Sequence, residues 1–149
     1  MAVILNLLVV NGPNLNLLGT REPEIYGSKT LKEIESDISN EFGSIHIEWF
    51  QSNDEGEIIN KIQTLVDGKV NGLIINPAAL SHTSIGILDS LKAISIPKVE
   101  VHISNTNHRE EFRKNKITAM GCDYIMEGFG PSIYRLAISN LKFVIENKG

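Results

Sequence analysis

Short runs rich in β-forming residues alternate with segments of helical period along this chain, and that alternation constrains its fold more than any other feature. The predicted strands are Ala2 to Val10, Ile45 to Phe50, Gly72 to Asn76, Lys98 to His102 and Asp123 to Met126. Segments of helical period separate or follow them, at Leu31 to Phe42, Ile58 to Val66, Thr83 to Ala93 and Ser132 to Glu146. Strand and helix units in series predict one five-stranded parallel α/β sheet, doubly wound, with helices on both faces.

Composition limits the classes of partner. The 149 residues fit a single domain, residues 1–149, large enough to bury a core. One cysteine, Cys122, excludes an intramolecular disulfide framework, and the short apolar start lacks a basic flank and a cleavage site, so we expect a cytoplasmic protein. A net charge of -4 without a basic stripe, and no apolar run near the ~20 residues of a membrane span, predict no nucleic acid and no membrane partner. The expected partner is a small molecule.

Polar residues are concentrated just after three of the predicted strands. In open parallel sheets ligands bind beyond the carboxyl ends of the strands. The longest such segment, residues 11–27 (NGPNLNLLGTREPEIYG), is rich in polar residues, glycine and proline and is too broken for regular structure. Since most connections run only about four to six residues, this segment is a candidate lid or binding loop.

Tyr26 and Arg21 are the candidate chemical groups of that loop. A guanidinium within about 4 to 6 Å of a phenol favours the phenolate, which can accept a proton at neutral pH. The alternatives are an ordinary surface tyrosine, and an arginine paired with Glu22 or Glu24.

Histidines form a second group of candidates. Glu100 and His102 lie two residues apart on a strand and therefore point to the same face, so the carboxylate can orient the imidazole as a general acid. The alternative is a histidine at the solvent edge with a structural glutamate. His82 lies near a predicted helix start, where it can simply cap backbone groups, as Ser81 and Thr83 can.

Amides and one further arginine complete the candidates. Asn14 and Asn76 can each offer an amide to a ligand hydroxyl, although turn asparagines beside proline are common. Arg113 lies in HREEFRK, a run of helical appearance that also fits a solvated surface face. No zinc spacing and no nucleotide-binding fingerprint is found, so we expect no metal and no cofactor.

Four blocks of this sequence together resemble type II 3-dehydroquinase. They are NGPNLNLLGTREPEIYG, QSNDEGEIINKIQ, INPAALSHTS and VEVHISNTNHREEFR. The resemblance implies a flavodoxin-like fold, a homo-oligomer built as a trimer-based dodecamer, and the reversible anti dehydration of 3-dehydroquinate to 3-dehydroshikimate through an enolate, without a Schiff-base lysine.

The resemblance also implies roles by position. Tyr26 is similar to the family's general base, Arg21 to the arginine that keeps it ionised, and His102 to the general acid. Asn14 matches the residue that holds a water against the enolate oxygen, and Glu100 the carboxylate that supports the histidine. The positions that match substrate-binding residues are Asn76, His82, Ile103, Ser104 and Arg113, with Asp89 reaching across a subunit boundary.

The chain departs from the family pattern at a few positions. Ala78 replaces a frequent glycine, Leu80 an aromatic residue, and Leu88 an arginine, and residues 114–116 replace His-His-Ser. None of these is a proposed catalytic group.

Other functions stay open at this point. One is a dehydroquinase serving quinate breakdown, and another is a non-catalytic binding module that binds dehydroquinate without turning it over. A flavin-binding electron carrier is a third, and a colourless preparation excludes it.

Overall fold

One five-stranded parallel sheet forms the centre of the computed structural model, which describes residues 4–148. The strands are Leu5–Asn11 (β1), Ile45–Gln51 (β2), Gly72–Asn76 (β3), Lys98–His102 (β4) and Tyr124–Glu127 (β5). Their spatial order is β2-β1-β3-β4-β5, and every neighbouring pair is parallel. This is the order of a flavodoxin-like sheet, so the predicted fold class is confirmed.

Helices connect the strands, and polar caps fix where most of them begin. They are Pro23–Tyr26 (α1), Leu31–Glu41 (α2), Glu55–Gln63 (α3), Ile85–Lys92 (α4) and Ile133–Glu146 (α5). Thr30 and Glu33 form a capping box at α2, while the side chains of Asp54 and Ser84 accept N–H groups at α3 and α4. Such caps satisfy donors that have no partner within a helix.

Hydrophobic clusters cover both faces of the sheet. On one face α2 and α5 pack over Leu7 and Val9. On the other, α3 and α4 pack over Leu8 and Val10. Because successive strand residues point to opposite faces, a strand buried on both sides must be apolar nearly throughout, as β1 is.

The predicted first strand differs from β1 at both ends. Ala2 and Val3 lie outside the described residues. At the other end the strand continues to Asn11, which pairs with Gln51 and Asn76 on its two neighbours. An asparagine in a strand gives no hydrophobic signal, so the sequence could not reveal this extension.

Three local predictions were wrong. Residues 11–27, expected to be irregular, contain a 3₁₀ turn at Leu15–Leu17 and the single turn α1, with Pro23 at its first position. The helix predicted from Thr83 begins two residues later, after the cap at Ser84. The helical-looking run from His108 to Lys116 lacks an α-helix and has a 3₁₀ turn at Glu111–Lys114, which buries no residue and so has no apolar stripe to stabilise a helix.

Within residues 4–148, no helix combines the length and the apolar character needed to cross a membrane.

Candidate active site

A cavity of about 120 Å³ lies beyond the carboxyl ends of β1, β3 and β4. Three connections line it: residues 12–30 after β1, here named the tyrosine loop, residues 77–84 after β3, and residues 103–116 after β4, here named the arginine loop. The predicted site residues in its lining are Asn14, Arg21, Tyr26, Asn76, His82, His102, Ile103, Ser104 and Arg113. A larger groove of about 460 Å³ between α2 and α5 contains none of these residues.

Tyr26 lies close to two guanidinium groups. The Arg21 Cζ is 4.7 Å from the centre of its ring, and the Arg109 Cζ is 5.1 Å from the same point. The tyrosine is only 9% exposed, and cations at this distance from an aromatic face are attracted to it. Arg21 also contacts Glu22 at 3.6 Å, so the predicted surface pair exists beside the contact with Tyr26.

Arg109 is a site residue that the sequence reasoning missed. Its guanidinium comes from the arginine loop, reaches the ring of Tyr26 and donates to Ser104 Oγ at 3.2 Å. The available signal was its position in the block that contains Arg113, four residues further on. In the sequence, residues 108–114 (HREEFRK) fit a solvated surface face. Only the folded chain shows that Arg109 and Arg113 both line the cavity.

His102 is held by a buried carboxylate at the end of β4. Its Nε2 donates to Glu100 Oε2 at 2.6 Å, and Thr118 Oγ1 donates to the other oxygen at 2.5 Å. Glu100 and Thr118 are fully buried and His102 is 6% exposed. The expected pairing of Glu100 with His102 is therefore present, and it leaves Nδ1 as the ring nitrogen available to a ligand. Thr118 was not expected from the sequence.

Asn76 is oriented by a buried hydrogen-bond chain beneath the cavity. The N–H of Ala78 donates to Asn76 Oδ1 at 3.1 Å, and Asn76 Nδ2 donates to the Tyr134 hydroxyl at 3.0 Å. That hydroxyl must then donate its hydrogen to Asn11 Oδ1, 2.6 Å away. One N–H of the Asn76 amide is left for a ligand.

His82 and Asn14 are the remaining polar groups on the wall. The side chain of His82 donates from Nδ1 to the carbonyl of Asn115 at 2.8 Å, so it caps no helix. Burial lowers the pKa of His82, and the charges of His102, Arg113 and Lys116 act in the same direction despite this hydrogen bond. A neutral ring with its hydrogen on Nδ1 presents Nε2 as an acceptor. The backbone N–H of Asn14 donates to Asn53 Oδ1, and Asn14 itself is exposed at the cavity.

Positive charge dominates the cavity. Arg21, Arg109 and Arg113 contribute guanidinium groups, and within the described part of the chain the lining holds no aspartate or glutamate. Glu110 pairs with Arg113 at 2.9 Å but lies outside the lining. Because Coulomb attraction is stronger where water is excluded, such a cavity favours an anion.

Asp89 is not brought to this cavity. It lies exposed on α4, while its neighbour Leu88 is buried, 7% exposed, beside Gly121. The predicted contact of Asp89 with a ligand therefore does not occur within a single copy of the chain.

No group of three potential metal-ligating side chains (His, Cys, Asp or Glu) is found among residues 4–148.

A sequence model of the family described as Dehydroquinase class II matches residues 5–142. Two similar proteins carry the name 3-dehydroquinate dehydratase. The chain is 51% identical over 146 residues to that of Prochlorococcus marinus (strain MIT 9515), covering 97% of this chain and 99% of the relative. It is 50% identical over 144 residues to that of Clostridium botulinum (strain Hall), covering 95% of each.

A solved structure is similar to the whole fold. The type II dehydroquinase from Butyrivibrio crossotus superposes with a TM-score of 0.90 at 44% identity, covering 93% of this chain and 98% of the other.

Proposed function

The chain belongs to the class II dehydroquinase family, and we propose how its cavity dehydrates 3-dehydroquinate. The protein is a hydro-lyase of the shikimate pathway that forms 3-dehydroshikimate. The observation that carries the proposed mechanism is that one cavity is lined both by Tyr26, which lies close to two guanidinium groups, and by His102, which is backed by a buried carboxylate.

The cavity is suited to a hydroxylated carboxylate. Arg113 lies in the lining and supplies positive charge for the substrate carboxylate or a ring hydroxyl. The free N–H of Asn76 can donate to a substrate oxygen, and Nε2 of His82 can accept a hydroxyl hydrogen. The arginine loop residues Ile103 and Ser104 complete the binding wall.

Tyr26 is proposed as the general base. Its phenolate removes a proton from the carbon next to the ketone, and the electron pair of that C–H bond forms the enolate. Arg21 and Arg109 support this role because positive charge at the ring stabilises the phenolate. Asn14 is proposed to hold a water against the enolate oxygen, which lowers the energy of the developing charge.

His102 is proposed as the general acid. As the enolate collapses, the C–O bond of the neighbouring carbon breaks and the departing hydroxyl takes a proton from Nδ1, leaving as water. Glu100 supports this step because a carboxylate at Nε2 stabilises the imidazolium and fixes the orientation of the ring. The product is a conjugated enone.

We also propose that residues 1–149 form a single domain, that the protein is cytoplasmic, and that it assembles as a trimer-based dodecamer. Exposed apolar side chains outside the cavity support assembly: Ile85 is 61% exposed and Met120 68%. Asp89 lies on the same helix as Ile85, so we propose that it contacts the site of a neighbouring copy. Light scattering on the purified protein tests this, and a monomer would contradict it.

A turnover assay with dehydroquinate tests the mechanism, because the conjugated product absorbs in the ultraviolet. We expect Tyr26→Phe to lower kcat by about 10²- to 10⁴-fold, the usual contribution of a general base. Tyr124→Phe is the matched control, since Tyr124 is exposed on β5 and lies outside the cavity. Borohydride with substrate should leave the activity intact, because no Schiff base forms. Near-normal turnover by a folded Tyr26→Phe variant would refute the proposed base.

A further inference from the structure

The arginine loop contributes two cavity guanidiniums, yet it has little regular structure of its own. It contains only 3₁₀ turns, at Thr106–His108 and Glu111–Lys114. Within the loop, Arg109 donates to Ser104 and Arg113 pairs with Glu110, so contacts outside the loop are needed to hold the loop as a whole in place. Two backbone hydrogen bonds hold its start: Gly128 N–H donates to the carbonyl of His102, which precedes the loop, and Gly130 N–H donates to that of Ile103.

Beyond that start, one carboxylate contacts both ends of the remaining loop. Glu127 is the last residue of β5, the strand next to β4. Its Oε1 accepts from the N–H of Thr106 at 2.9 Å and from the Thr106 hydroxyl at 2.7 Å. Its Oε2 lies 3.2 Å from Lys116 Nζ.

These contacts join residues ten positions apart, on either side of Arg109 and Arg113. The side chain of Lys116 is 8% exposed and that of Glu127 is 21% exposed, so the pair is shielded from water far more than the loop's outer ion pairs. Burial opposes the charge of Glu127, but the hydrogen bonds from Thr106 and the contact with Lys116 outweigh it and lower the pKa of this carboxyl. Glu127 and Lys116 both lie outside the cavity lining.

We propose that Glu127 is a positioning residue, which closes the arginine loop through Thr106 and Lys116 and thereby holds Arg109 against Tyr26. The proposal rests on the function proposed above for Tyr26 and the arginines. Glu127 touches no reacting atom. It acts because a shift of about 1 Å in a group that stabilises charge can lower a rate by about 10²-fold.

Two variants disrupt the ion pair between Glu127 and Lys116 in different ways. Glu127→Gln keeps an oxygen for Thr106 but turns an amide N–H₂ toward the Lys116 ammonium. Lys116→Met keeps the length and apolar stem of the side chain and removes its charge. We expect each folded variant to lose about 10- to 100-fold in kcat/KM. The loss should fall on kcat more than on KM, because a displaced Arg109 no longer stabilises the negative charge that Tyr26 carries during the reaction.

A matched control lies on the same loop. Glu111 and Lys114 form an ion pair of 3.0 Å whose side chains are 87% and 45% exposed. Glu111→Gln removes the same charge as Glu127→Gln, and we expect it to leave the kinetics unchanged. The double variant Glu127→Gln with Lys116→Met should lose less than the sum of the single losses, because both remove one interaction.

Hydrogen exchange gives a second readout that does not depend on turnover. In Glu127→Gln, amides of residues 106–116 should exchange faster, while those of β1 should not change. Wild-type exchange in this loop would overturn the proposal, as would wild-type kcat and KM in both folded variants, even with a lower melting temperature. An inactive wild-type protein would instead refute the proposed function and leave the exchange test to decide the role of Glu127.

Discussion

The two proposed proton-transfer groups are held in opposite ways. His102 ends a strand, and its partners Glu100 and Thr118 are fully buried. Tyr26 belongs to a loop that contains two non-glycine residues of positive φ, Asn14 at 69° and Glu22 at 39°. The guanidinium of Arg21 that covers it is about one-third exposed. The acid side is thus fixed by the sheet. The base side belongs to a loop that anchors Leu15, Leu18 and Tyr26 in the hydrophobic core but leaves the side chain of Arg21 partly open to solvent.

Activity and stability are therefore coupled at Glu100 and His102 on the strand side of the cavity and separable at Arg21 on the other side. A change at the strand side should affect both quantities, because it leaves buried polar groups without partners. A change at the partly exposed Arg21 should mainly affect turnover. The following predictions test that contrast.

The largest expected effect is at the buried carboxylate. Glu100→Gln should lower kcat by about 10²- to 10⁴-fold, because the amide no longer stabilises the imidazolium of His102. It should also lower the free energy of unfolding by about 1–3 kcal/mol, since an amide cannot accept from both His102 and Thr118. Turnover and urea denaturation measure the two effects. A Glu100→Gln variant that loses activity but keeps the wild-type free energy of unfolding would contradict this coupling of activity and stability on the strand side.

Arg21→Ala should give a loss of activity without a loss of stability. We expect kcat to fall by about 10²-fold, as when one group aimed at developing charge is removed. The free energy of unfolding should change by less than about 1 kcal/mol, because the pair with Glu22 is exposed. An unchanged kcat would contradict a role for Arg21 in the mechanism. A large fall in the free energy of unfolding would contradict the expected difference between Arg21→Ala and Glu100→Gln.

Tyr134→Phe should mainly affect binding and stability. Without its hydroxyl, Asn76 and Asn11 lose a buried partner, which should lower the free energy of unfolding by about 1–3 kcal/mol. KM should rise, since the Asn76 amide is no longer held in one orientation, while kcat stays close to that of the wild type. Tyr124→Phe serves as the control. A fall in kcat at constant KM would contradict this role.

The smallest expected effect is a gain. Ala78, where the family often has glycine, adopts a φ of 54°, a conformation that is unfavourable for a residue with a Cβ. Ala78→Gly should raise the free energy of unfolding by about 0.5–1 kcal/mol. Ala79→Gly is the matched control and should lower it by a similar amount, because the φ of Ala79 is not positive. Equal effects of both changes would exclude relief of strain at Ala78.

Much of the fold was predictable because its signals are local. The predicted strands Gly72–Asn76 and Lys98–His102 match β3 and β4 residue for residue. Period-two alternation also predicted that Glu100 and His102 share a face. The run from His108 to Lys116 has a helical appearance but no α-helix, because its 3₁₀ turn at Glu111–Lys114 buries no residue.

Most residues of the candidate site could be predicted from the sequence, but the contacts between them could not. The residue types after β1, β3 and β4 already indicated a ligand-binding edge. Nothing in the sequence indicated that Arg109 would meet the ring of Tyr26, or that Tyr134 would lie beneath Asn76. Those pairs are 83 and 58 residues apart along the chain, and no local pattern extends over such a distance.

Local patterns in the chain were enough to predict a parallel α/β sheet, the edge of that sheet where ligands bind, and a family whose members dehydrate dehydroquinate. The folded structure was needed to identify the cations that face Tyr26, the hydroxyl that supports Glu100, and the carboxylate that contacts both ends of the arginine loop. The physical reason is that helix and strand periodicity are properties of neighbouring residues, whereas buried hydrogen bonds and ion pairs form only where strand order brings distant residues together.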